Sequence, residues 1–556
     1  VFDQSNSPSP PTADKLPRPS APSTDPLARV ETGWWIVESF AIVLLCFAIA
    51  GWPAPGVNEA HYWGKAKHAW DPTWCPRDIF LTSPDAHLFY TFTWGSLTRV
   101  MPLPHAAWLG RGLGWLAIAV AWTYFVAGFA PRRGAALFGA AIWFTAVHYG
   151  QLGGEWIVGG TEAKVPAYAC VLVALGCAVR DRWRAVWPWL GLASAFHVLV
   201  GGWTTLVLLA SGFWWSDFRA APWPFIDRLL GGGALALLGL IPALLLSIGA
   251  APGDAQAAAE IYVFHRLPHH LWALSFSLDR FLSFSALLIL TYGFGALSRC
   301  GQRLRVPRAL AFGGLALTLI GLLLSAMASW APTFSSQLLR LYLFRLADVS
   351  VPLLCGAIFA CWYAYGLDSS IRTISLCGGL VAATAGLGLV SWDAISWEVP
   401  PACRQSLLAL TPDVERAEGA AVWRDWVNVC EWIKEHTPSD ELLLTPRHQQ
   451  TFKWYAGRSE VANWKDIPQD ASGLVAWQQR LRDIYPARLG GTRVSIRFAE
   501  LKRLAREYGV RWLVADRRLL PELPLVRIYP TGSEQNAHFA VYRLPSHESA
   551  EQSPAP

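Results

Sequence analysis

The chain has 556 residues, 53% hydrophobic and only 15% charged, with a formal net charge of +6 and a mean hydropathy of +0.29. Soluble proteins carry about 25% charged residues, and here the apolar residues gather in blocks of roughly 17–25, the length that crosses a bilayer as a helix. This excludes a disordered chain and a small disulfide scaffold and argues against a large soluble enzyme. The scattered basic residues form no nucleic-acid face.

Residues 1–32 are rich in Pro, Ser and Ala and read as a disordered tail. Apolar stretches near 33–52, 106–130, 135–150, 165–180, 186–200, 201–215, 229–250, 281–298, 309–330, 346–366 and 373–391 predict about eleven membrane helices. The stretch 186–215 reads as one long span or as two broken at Gly201-Gly202. Residues 86–103, with His87, Arg99, Pro102 and Pro104, read as an amphipathic helix on the membrane surface.

Charge tests that count. With the N-terminal tail in the cytoplasm, the cytoplasmic loops hold Arg132 and Arg133, Arg180 to Arg184, Arg219 and Arg228, Arg299 to Arg308, and Arg372. The opposite short loops hold only Lys164, Arg266, Arg340 and Arg345. Such an asymmetry is the expected mark of orientation. It puts the loops 53–105, 151–164, 251–280 and 331–345, and everything after residue 391, on the outer side. In a bacterium this is the inner membrane with an extracytoplasmic C-terminal domain.

Residues 392–545 predict a small α/β domain, followed by a disordered tail at 546–556. WRDWVNVCEWIKEHTPSD and FAELKRLAREYG read as amphipathic helices, and ELLLTP, VRWLVAD and HFAVYRL as strands. The fold class is therefore mainly α, a polytopic membrane protein with a small outer α/β domain. Of the cysteines, Cys75, Cys403 and Cys430 face outward, and a Cys403–Cys430 bridge is one option. The 31 Trp residues suit membrane interfaces or sugar stacking alike.

The polar residues collect on the outer side. The first outer loop carries Glu59, His61, His68, Asp71, Asp78, Asp85 and His87. Glu59 follows the first helix directly, and a carboxylate at such a low-dielectric boundary suits a general base. It could equally bridge Lys65 or cap a helix. In the second loop Glu162 and Lys164 precede a helix, as a ligand contact or as an ion pair fixing the loop. The third loop places His265, Arg266, His269 and His270 within six residues. His265 and His269 have the i, i+4 spacing that allows a divalent metal, although headgroup contact is the simpler use. Arg345 opens a helix at a depth where its planar fork suits phosphate. His197 lies inside an apolar span.

A first span followed at once by Asn58-Glu59-Ala60-His61-Tyr62 resembles the Asp-Glu-x-x-Tyr-type motif of the GT-C superfamily of membrane glycosyltransferases. That superfamily includes the protein O-mannosyltransferases and the aminoarabinose transferases. The resemblance implies transfer of a sugar from a polyprenyl-phosphate donor on the outer face. Asn58 stands where the first acid stands in that motif, which moves the base to Glu59, Asp78 or Asp85. By the same resemblance Asn58, His61, Tyr62, Glu162, Lys164, His265, Arg266, His269 and Arg345 would bind substrate, with Arg266 and Arg345 on the phosphate. The rival expectations are a transporter or flippase of an anionic or lipid-linked substrate, and a non-catalytic envelope scaffold.

Overall fold

The computed structural model describes residues 26–246, 248, 250–297, 301, 303–365, 370–404, 412–484, 498–519, 523–532 and 535–545. The tail expected at 546–556 lies outside them, as does most of the N-terminal one. Residues 26–32, assigned to that tail, already belong to the first helix.

Each expected apolar stretch is helical. The helices are α1 (Pro26–Ala50), α2 (Glu59–Trp70), α3 (Leu103–Ala127), α4 (Ala135–Tyr149), α5 (Lys164–Ala178), α6 (Trp183–Phe196), α7 (Val198–Gly212), α8 (Leu229–Leu245), α9 (Leu278–Leu297), α10 (Arg305–Met327), α11 (Arg345–Tyr365) and α12 (Ser370–Ser396). Only α2 among these was not expected as a span. Among the described helices, six are long and apolar enough to cross a membrane, including α1, α3, α10, α11 and α12. The helices α4, α5 and α7 are apolar but shorter.

Two features differ from expectation. The break between α6 and α7 falls at His197, whose backbone is extended at φ −149° and ψ 103°, and not at Gly201-Gly202. Gly201 instead lets α7 turn back against α6, since a Cβ there would stand 2.3 Å from the Ser194 nitrogen. Residues 86–103 form no continuous surface helix. They make a short helix at Leu88–Phe92 and a 3-10 turn at Trp94–Arg99, separated at Thr93, whose backbone at φ −98° and ψ −85° is not helical.

Helix α11 is apolar on all sides and buried from Leu346 to Trp362, which makes it the central post of the bundle. At the rim, α8 and α12 expose Leu237, Leu238, Ile241, Leu380, Val381 and Leu389. Such an apolar surface suits lipid rather than water. Close approach inside the bundle depends on glycine. A Cβ on Gly191 of α6 would lie 2.1 Å from the Gly232 carbonyl of α8.

The C-terminal region is a five-stranded sheet with helices. Its strands are β1 (Leu442–Leu444), β2 (Ser459–Glu460), β3 (Trp512–Asp516), β4 (Val526–Tyr529) and β5 (Phe539–Arg543), in the order β2-β1-β3-β5-β4. β1 pairs parallel with β2 and β3, while β5 runs antiparallel to β3 and β4. Its helices are α13 (Pro412–His436), α14 (Ala471–Ile484) and α15 (Phe498–Tyr508). The short strands β2 and β4 and helix α14 were not anticipated. Cys403 and Cys430 are both buried free thiols, so the bridge left open by the sequence is not formed.

Candidate functional site

The segment 53–105 that follows α1 holds a buried carboxylate that is fully engaged. Glu59 is completely buried. Its Oε1 accepts from Arg111 Nε at 2.7 Å and from the Thr161 amide at 2.8 Å. Its Oε2 accepts from Arg111 Nη2 at 2.6 Å and from the Gly56 amide at 2.6 Å. Arg111 sits within α3 and spends Nη1 on the Trp52 carbonyl at 2.6 Å. The carboxylate thus ties α1's exit, α3 and the 151–163 loop together, and no lone pair is left to take a substrate proton. The expectation of Glu59 as a free base is corrected on this geometry, and so is its pairing with Lys65.

The other two proposed acids are also structural. Asp78 caps the Ile79–Thr82 turn, accepting from the Phe80 and Leu81 amides at 3.1 and 3.0 Å. Its second oxygen faces Lys453 Nζ at 3.3 Å. Asp85 accepts from the His87 amide and the Thr91 hydroxyl at 2.8 and 2.6 Å. Lys65, lowered to about 8 by burial against the pull of Asp85 and Asp78, donates to the Phe80, Leu81 and Ser83 carbonyls.

Several expected binding residues do converge. Asn58 Nδ2 donates to Glu162 Oε1. Glu162 faces Lys164 Nζ at 3.4 Å, Lys164 faces Glu155 at 3.0 Å, and Glu155 faces Arg345 Nε at 2.9 Å. Arg345 lies over the Tyr342 ring, 3.6 Å from its centroid, and the Tyr342 and Tyr262 hydroxyls are 2.6 Å apart. Burial, with the nearby charge of Glu162 against that of Arg345, raises the Tyr62 phenol well above the ordinary range. Residues Asn58, His61, Tyr62, His87, His197, Tyr262, Tyr342, Arg345 and Lys465 are each half-buried. His87 and His197 have ring centroids 5.2 Å apart. Burial holds His87 below the usual histidine range.

The loop 151–163 has an irregular backbone. Asp348, near the start of α11, accepts the Leu152, Gly153 and Glu155 amides at 2.7, 2.8 and 3.2 Å. Together with Glu59 on Thr161, it satisfies donors that a buried loop could not leave open.

The C-terminal domain reaches the segment after α1 at His61. His61 Nδ1 is 3.0 Å from Asp466 Oδ1. Burial alone would raise the Asp466 carboxyl, but Lys453, with His61, outweighs it and holds the group well below the carboxylate range. Lys453 itself lies 2.8 Å from Asp466 and 2.7 Å from Glu460. Asn463 Nδ2 donates to both of these acids. Around His61 a narrow cleft is lined by Tyr62, Lys65, Phe80, Asp85, His87 and Gln469.

Arg266 is buried and donates to the Trp464 and Lys465 carbonyls at 2.8 and 3.3 Å. Among the described residues neither cation makes an ion pair. Burial and the neighbouring Arg266 lower the Lys465 ammonium to about 8, against the pull of Glu162 and Asp466.

His265 and His269 do not join this group. Both are exposed, and burial with Arg266 and Arg280 nearby lowers His269 to about 4. His270 turns inward to donate Nδ1 to the Gly153 carbonyl at 2.7 Å. The described residues contain no group of three or more His, Cys, Asp or Glu placed to hold a metal ion, so the metal option at His265 and His269 has no third ligand there.

Arg111, Lys453, Lys465 and Asp466 were missed by sequence reasoning. Arg111 had a signal, because an Arg inside an apolar span demands a partner. Asp466 had none, since 405 residues separate it from His61. Against known families, a domain of unknown function (DUF6798) matches residues 424–484, the segment that carries Lys453, Glu460, Asn463, Lys465 and Asp466. No curated protein matches the chain.

Proposed function

We propose that the chain is a membrane glycosyltransferase of GT-C type that takes its sugar from a polyprenyl-phosphate donor at the outer face of a bacterial inner membrane. On this reading the apolar helices supply about eleven spans, the N-terminus is cytoplasmic and the α/β domain is extracytoplasmic. The observation that carries it is the pair Lys465 and Arg266, two cations that make no ion pair among the described residues and lie close enough to act on one another. Buried cations are costly unless an anion meets them, and a phosphate is such an anion.

Helix length supports a site below the surface. A helix of 15 residues such as α5 is only about 22 Å long, against a hydrocarbon core of about 30 Å. The 151–163 loop would then sit at membrane depth, where irregular backbone is tolerated only inside protein. Its amides are held by Asp348 and Glu59, as that placement requires. A donor with its tail in lipid could present its phosphate there.

The test is native mass spectrometry of gently extracted protein, wild type against Lys465→Met. Polyprenyl phosphate or its sugar conjugate should accompany the wild type and be lost from the variant. Ordinary phospholipid alone in both samples would reject the donor.

A further inference from the structure

Glu59, Asp78 and Asp85 are all occupied by structural partners, so a transfer at this site needs another proton acceptor. We infer that His61 Nε2 takes that role, with Asp466 of the C-terminal domain as its positioning residue. The inference rests on the transferase reading above.

The geometry fixes the tautomer. Asp466 is ionised, because Lys453 sits 2.8 Å from its Oδ2 and Asn463 Nδ2 donates to the same oxygen at 3.0 Å. An ionised carboxylate only accepts hydrogen bonds. The proton between His61 and Asp466 therefore belongs to His61 Nδ1, and in the neutral ring Nε2 carries the lone pair. Among the described residues nothing bonds to Nε2. The ring is held from the sides by Phe80 and Tyr62, with centroids 4.2 and 5.5 Å away, and about 17% of the side chain stays open. That is how a histidine base is oriented in general: one nitrogen pinned by a carboxylate, the other free toward the substrate.

Two further features favour His61 over Glu162. Glu162 already accepts from Asn58 on one oxygen and faces Lys164 with the other, so both of its oxygens have partners. His61 has no cation at ion-pair distance, and its neighbour His87 is held neutral by burial. An imidazolium formed at His61 meets the Asp466 carboxylate directly.

The step balances simply. The acceptor hydroxyl gives its proton to His61 Nε2. The oxygen pair so released forms a bond to the anomeric carbon. The bond from that carbon to the phosphate oxygen breaks, and its electron pair stays on the polyprenyl phosphate. Asp466 reaches this site only when the C-terminal domain is docked, so the soluble domain completes the catalytic chemistry rather than serving only to bind an acceptor.

The experiment uses the full chain in lipid nanodiscs. Diethylpyrocarbonate at pH 7, read by peptide mass spectrometry, reports a free imidazole nitrogen. Spectra of chain labelled with 15N histidine, assigned by His61→Gln, report the tautomer. The expected result is His61 modified as readily as exposed His265 and present as the Nδ1–H tautomer. Asp466→Asn should populate both tautomers and slow modification several-fold, while Asp466→Glu should restore the wild-type spectrum. His61 left unmodified while His265 reacts, or found as the Nε2–H tautomer, would overturn the assignment. Undecaprenyl phosphate is the second probe. Modification of His61 that this lipid does not block would keep the histidine base and reject the lipid-phosphate reading.

Discussion

Glu59 and Arg111 meet in a bidentate pair with both side chains fully buried, at 2.6 and 2.7 Å. The pair lies 52 residues apart in sequence and joins the loop that follows the first helix to the middle of the next apolar one. A charge pair this deep survives because every carboxylate lone pair and most guanidinium protons are used.

Removing one partner should therefore be worse than removing both. Glu59→Gln or Arg111→Met is expected to cost about 3–5 kcal/mol, while the double variant should recover part of that loss. Thermal unfolding in detergent, followed as a double-mutant cycle, measures the coupling. Gly160→Ala tests the same joint from the other side, because its Cβ would stand 2.8 Å from the Glu59 carboxyl carbon. It should lower the thermal midpoint although no polar group changes.

Lys465 should show opposite effects on stability and on binding. Its ammonium falls from 10.5 to about 8 in the fold. Between those values the unfolded chain binds more protons, so stability rises with pH across that window. Below about pH 8 the charged lysine costs stability. Lys465→Met is thus expected to raise the thermal midpoint at pH 7 while losing phosphate affinity. In the wild type, affinity for undecaprenyl phosphate should fall as pH rises through about 8. A flat profile from pH 7 to 9 would remove Lys465 from the anion site.

Lys453 holds three carboxylates, Asp78, Glu460 and Asp466, at 3.3, 2.7 and 2.8 Å. Lys453→Met would leave three acids without their cation, and repulsion should loosen the C-terminal domain from the first outer loop. Limited proteolysis is expected to cut the variant at protease levels the wild type resists. Asp466→Asn should loosen the domain less, because the other ion pairs stay.

The proposed orientation predicts which face each loop reaches. Single cysteines placed at Asp181 and at Gln256 in a cysteine-free chain should label from opposite sides of intact spheroplasts with an impermeant maleimide. Gln256 should react from outside and Asp181 only after lysis. Equal labelling of both sites would contradict the orientation drawn from Arg and Lys.

The positions of the long helices were legible from the residues alone. A bilayer-length apolar run can satisfy its backbone only as a helix, so α1, α3, α10, α11 and α12 follow from local composition. The helix ends and breaks were less legible. The α6–α7 break at His197 depends on where Ser194 and Gly201 come into contact, and Gly201-Gly202 was the more visible local signal.

The residues of the outer loops were visible as a group, because charge near an apolar run is rare enough to notice. Their partners were not. Glu59 looked like a free acid next to a membrane helix, yet Arg111 and two amides claim it. His61 looked like one of several loop histidines, yet Asp466 singles it out. Hydrophobic length and charge asymmetry act over one helix at a time, so the chain itself determines them. Hydrogen bonds and ion pairs act over about 3 Å between residues up to 405 apart in sequence, so only the tertiary fold decided which acid is structural and which histidine is free.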